Sequence, residues 1–145
     1  MFNSARNLIC FATLLLSLCS VRAQSATNTN ATTKTSAAAK SPRRVDVNEF
    51  ETLWQKKTNI VIDVRSPKEF AAGHIPGALN VDLNSPDFSE KVSKLNKERV
   101  YLVHCAGGVR SARACSKMND LGFLHLFDLA PGFKEWEKAG KPVQK

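Results

Sequence analysis

From Arg43 onward the chain alternates short apolar runs with stretches whose apolar residues recur at helical spacing. Ile60 to Val64 is a β-branched run with the look of a strand buried on both faces. Further strands are predicted over 79–83, 100–104 and 124–128. Five helical patterns alternate with these strands. Asn48 with Glu51 forms a capping-box signature that opens a helix presenting Phe50, Leu53 and Trp54 on one face. Ser66-Pro67-Lys68-Glu69 supplies an N-cap, a proline at the first helical position and a capping glutamate, and Gly73 ends that helix. Ser85-Pro86 starts a third, with Phe88, Val92 and Leu95 at helical spacing. A fourth has Ala112, Cys115 and Met118 inward and Gly122 as its stop. Phe133 and Trp136 lie on a final helix closed by Gly140 and Pro142. Such alternation predicts an α/β domain, a mainly parallel sheet with helices on both faces. Ligands of such sheets sit beyond the carboxyl ends of the strands, so chemistry is expected in the loop after the 100–104 strand.

The first part of the chain reads differently. Arg6 precedes an apolar run, Leu8 to Leu18, that is too short to span a bilayer, and Val21-Arg22-Ala23 places small residues where a signal peptidase inspects them. Residues 1–23 are therefore expected to be an export signal, the alternative being an uncleaved anchor. Residues 24–42, Ser-, Thr-, Asn- and Ala-rich as far as Lys40, have no apolar periodicity and are expected to be a disordered linker to a domain over 43–145. The mature protein is then periplasmic or secreted, with no membrane association once the signal is cleaved. The 145-residue chain carries a net charge of +8, and removing residues 1–23 takes away Arg6 and Arg22 and no acid, leaving +6. Its basic residues are interspersed with Asp and Glu over the whole domain, and no nucleic-acid-binding motif accompanies them, so nucleic acid is excluded as a partner. Four cysteines become two, Cys105 and Cys115. No CxxC or His/Cys cluster has metal-ligand spacing, so no metal is expected.

The loop after the 100–104 strand reads Cys105-Ala106-Gly107-Gly108-Val109-Arg110 and leads into a helix. Gly107 and Gly108 permit a backbone that turns successive N–H groups into one concavity, a nest for anions. The following helix adds the positive end of its dipole and Arg110 a full charge. A thiol there ionises more readily than a free cysteine, and the thiolate is the nucleophile. Cys105 is thus the candidate catalytic residue, with Ala106, Gly107, Gly108, Val109 and Arg110 binding the substrate. A phosphoryl-transfer loop has five residues between Cys and Arg. Here there are four, and Ser111 occupies the position of the phosphatase arginine. Asp63 and Arg65, at the end of the 60–64 strand, either support Cys105 and Arg110 electrostatically or brace the adjoining loops. Glu69 is read as a capping residue, His74 as a turn-stabilising one, and Cys115 as core.

Three ordered segments carry a family resemblance. Ile62 to Val81 (IDVRSPKEFAAGHIPGALNV) resembles the amino-terminal signature of rhodanese-homology domains, VHCAGGVRSARA their active-site segment, and PGFKEWEKAGKPV their usual ending, with Pro131 where glycine is common. The resemblance covers residues 43–143. It implies a five-stranded parallel sheet, a six-residue active loop and thiosulfate sulfurtransferase chemistry through a Cys105 persulfide. The donor is a small anion such as thiosulfate, the acceptor a thiol or cyanide, and no cofactor or metal takes part. The alternatives are a non-catalytic sulfur-carrier or binding module, and a phosphatase or arsenate reductase on the same fold.

Overall fold

The structure, a computed structural model, describes residues 41–145. The expected signal segment and all but the end of the expected linker lie outside the described residues. The elements run β1 (Arg43–Val45), α1 (Val47–Trp54), β2 (Ile60–Asp63), α2 (Pro67–Ala72), β3 (Leu79–Asn80), α3 (Phe88–Ser93), β4 (Val100–His104), α4 (Val109–Asp120), β5 (His125–Leu129) and α5 (Gly132–Lys138). The five strands form one sheet in the order β1-β5-β4-β2-β3, every pairing parallel. Side chains alternate across each strand, so β4 sends Tyr101 and Val103 to one face and Leu102 to the other. The first face packs on Phe88 and Val92 of α3 and on Ala114, Cys115 and Met118 of α4. The second packs on Phe50 of α1 and on Phe133 and Trp136 of α5. Helices cover both faces, as the alternating pattern predicts.

Several boundaries differ from the sequence expectations. Strand β1 has no apolar pattern to betray it: Arg43 and Arg44 are exposed, and Val45 alone is buried. Helix α1 starts two residues early, because Asp46, at the end of β1, caps it by accepting from the Glu49 N–H at 2.9 Å. Glu51 instead pairs with Lys141. Strand β3 is two residues long, not five, because its partner β2 ends at Asp63. Beyond that point the Asn80 amide donates to the carbonyls of Asp63 and Arg65. On α4 the buried stripe is Ser111, Ala114, Cys115 and Met118, and Ala112 is only half-buried.

The strand order decides where a ligand can bind. Crossover α4 carries the chain from β4 toward β5, and α2 carries it from β2 toward β3, in the opposite direction. The carboxyl ends of β4 and β2 therefore flank a topological switch point, where departing loops leave a crevice. The Cys105 loop rises from one side of it, and Arg65 to Glu69 from the other.

Candidate active site

Cys105 leaves β4 almost fully buried, and the chain folds back over its sulfur. Gly108 donates its N–H to Sγ at 3.1 Å, and Ser111 Oγ stands 3.5 Å from the same sulfur. The Ser111 hydroxyl is also 3.2 Å from the Gly108 carbonyl. It has a single proton to donate, and an anionic sulfur competes for it more strongly than a carbonyl. Burial pushes the Cys105 thiol up, but hydrogen bonds from the Ser111 hydroxyl and the N–H groups of Ser111, Gly107 and Gly108 outweigh it. The thiol lies below its ordinary value. Donors aimed at one sulfur in this way stabilise negative charge that forms there.

The two glycines of the loop differ. Gly108 has φ +85°, and a Cβ added there would lie 1.8 Å from the Ala130 carbonyl oxygen. Left-handed backbone and close packing both require glycine at 108. Gly107 faces open space. Sequence reasoning assigned both glycines the same backbone freedom, and of the two only Gly108 uses it. The loop is also pinned from below. Phe133 donates its N–H to the Cys105 carbonyl at 2.7 Å, and Lys134 its N–H to the Ala106 carbonyl at 3.2 Å. Val109, at the crest, is 73% exposed.

Arg110 does not stand free over the loop. It meets Glu69 at two points, 2.8 and 2.7 Å, and the same glutamate closes the Ser66 capping box. The Arg110 guanidinium, with the Ser66 N–H and hydroxyl adding to it against burial, holds the Glu69 carboxyl down to about 2. Sequence reasoning found the cap and missed the pair, whose members are 41 residues apart. Asp63 and Arg65 form a buried pair at 2.6 Å. Arg65 also donates to the Gly73 carbonyl at 2.7 Å and lies over the Phe133 ring. These contacts brace the β2–α2 loop and α5.

His104, paired in register with Asp63, points to the opposite face from Cys105, between the rings of Phe50 and Phe133. Among the described residues neither ring nitrogen has a hydrogen-bond partner, and burial drives its pKa down to about 4. Cys115 is free and buried, and burial, with Asp128 and Cys105 nearby, pushes its thiol up. Asp128 is buried 3.2 Å from the Arg44 guanidinium, with no well-aligned hydrogen bond to its oxygens among the described residues. Beside Ala106 opens a cleft of about 280 Å³ whose lining includes Arg65, Glu69, Phe133, Lys134 and Glu137.

Residues 46–139 match the family model described as Rhodanese-like domain. Among curated proteins, the chain is 34% identical over 93 residues to "Thiosulfate sulfurtransferase 16, chloroplastic" of Arabidopsis thaliana, covering 57% of this chain and 78% of that one. It is 30% identical over 103 residues to a "Sulfurtransferase" of Allochromatium vinosum, covering 67% of this chain and 94% of its relative. Among solved structures, a rhodanese-related protein from Thermoplasma volcanium superposes with a TM-score of 0.63 at 28% identity, over 70% of this chain and 97% of that one.

Proposed function

The chain belongs to the rhodanese-like sulfurtransferase family, and from that premise we propose that it transfers sulfane sulfur through a persulfide on Cys105. The observation that carries this reading is the convergence of the Gly108 N–H and the Ser111 hydroxyl on one buried sulfur. The Cys105 thiolate attacks the outer sulfur of thiosulfate or a similar donor. An S–S bond forms to Sγ, the donor's own S–S bond breaks, and its electron pair leaves with sulfite. Donors fixed around the sulfur also stabilise the anionic persulfide, without reorganising during the reaction. A thiolate or cyanide then takes the outer sulfur, and the bonding pair returns to Cys105. Asp63 and Arg65 hold the loops in place and touch no reacting atom in this scheme.

Intact-mass measurement after thiosulfate treatment tests the reading. A gain of one sulfur that is absent from Cys105→Ser supports it, since a hydroxyl without a base is a poor nucleophile at neutral pH. An unmodified protein, or turnover of a phosphate ester in place of thiosulfate, overturns it. The apolar run ahead of Ala23 supports export of the mature domain to the periplasm or beyond.

A further inference from the structure

The three arginines whose contacts bring them to the carboxyl end of the sheet are all matched by carboxylates. Arg65 is held by Asp63, Arg44 lies beside Asp128, and Arg110 takes both oxygens of Glu69. The cleft beside Ala106 continues the balance, with Arg65 and Lys134 set among Glu69 and Glu137. Apart from Lys134 in that cleft, attraction of an anion toward Cys105 is left, among the described residues, to backbone N–H groups and the start of α4. These partial charges act within about the first helical turn. A dianion gains less from such a site than from a loop with a free guanidinium.

We propose that Glu69 is a specificity-determining residue: by occupying Arg110 it leaves the Cys105 loop without a free formal charge. The site then favours sulfane donors with one negative charge or none, organic persulfides and thiosulfonates, over dianionic thiosulfate. The inference rests on the sulfurtransferase reading and narrows its donor class. With a thiosulfonate, the Cys105 thiolate bonds to the terminal sulfur, the sulfur–sulfonyl bond breaks, and the sulfinate leaves with the electron pair. Glu69 acts through Arg110 and touches no reacting atom, so it is a positioning residue.

Glu69→Gln isolates this role. Glutamine at the third helical position still completes a capping box, so α2 keeps its start while Arg110 loses its counter-charge. Two probes of nearly equal shape differ by one charge: thiosulfate and methanethiosulfonate. The ratio of their kcat/KM values should move toward thiosulfate by roughly three- to tenfold in Glu69→Gln, the scale of one unscreened charge a few ångströms from the substrate. The rate ratio of iodoacetate to iodoacetamide at Cys105 should rise over the same range, a readout that needs no sulfur transfer. Glu137→Gln removes the same charge from the same cleft without releasing Arg110, and should move both ratios less than about twofold. Unchanged ratios in a folded Glu69→Gln protein, or an equal response in Glu137→Gln, overturn the proposal. Absence of transfer from both donors in the wild type removes the sulfurtransferase reading instead, and the alkylation ratios still judge Glu69.

Discussion

His104 makes the fold sensitive to acid, and the size of the effect follows from its surroundings. The imidazole is fully buried between Phe50 and Phe133, with neither nitrogen hydrogen-bonded among the described residues. Burial is the largest influence on it and disfavours the charged form; the Asp63 carboxylate, 3.7 Å away, opposes burial only in part because Arg65 already claims it. Its folded pKa of about 4 lies below the unfolded value of 6.5. Between these values the unfolded chain binds the extra proton, so stability is fully present above pH 6.5 and is lost as the pH falls toward 4. At about 1.4 kcal/mol per pKa unit, the loss across that window is about 3 kcal/mol, a large share of a small domain's stability. Urea unfolding at pH steps from 7.5 to 4, on wild type and on His104→Leu, measures it. Leucine fills a similar volume without a titrating group, so its stability curve should be flatter by about that amount. The Glu69 contribution falls at lower pH, since that carboxyl is held down to about 2. Parallel curves for the two proteins between pH 6.5 and 4 would refute the assignment.

Gly108→Ala should destabilise the fold by about 3 kcal/mol and slow alkylation of Cys105, because a left-handed backbone and a collision with the Ala130 carbonyl coincide there. Gly107→Ala, facing open space, should cost less than about 0.5 kcal/mol. Equal stabilities in chemical denaturation would contradict that contrast. Arg110→Ala should leave the Glu69 carboxylate unopposed beside the loop, lowering thiosulfate kcat/KM by about tenfold or more and raising the Cys105 thiol pKa, with a stability change within about 1 kcal/mol. Steady-state kinetics and a pH series of alkylation rates decide it. The mature protein should begin at or near Gln24, which terminal sequencing of exported material checks; retention of Cys10 or Cys19 would mean an anchor.

The signals legible in the chain alone are local. Ile60, Val61 and Ile62 without polar alternation mark a central strand, and Ser66-Pro67-Lys68-Glu69 writes out its own helix start. Cys105 to Arg110, between the 100–104 strand and a helix, shows its anion-loop character because the groups that make it are consecutive. Folding decided what joins distant residues. Arg43-Arg44-Val45 becomes a strand only because β5 offers it an edge, and β3 stops at Asn80 because β2 does. Asp46 caps α1 because β1 delivers it there. Ser111 reaches the Cys105 sulfur only once the Gly108 turn starts α4 over it. The ion pairs at the carboxyl end join residues whose charges are visible in sequence but whose partners are not. Arg110 reads as a free cation because nothing nearby in the chain neutralises it. It meets Glu69 because α2 and α4 leave the switch point in opposite directions, setting a helix cap of one beside the first turn of the other.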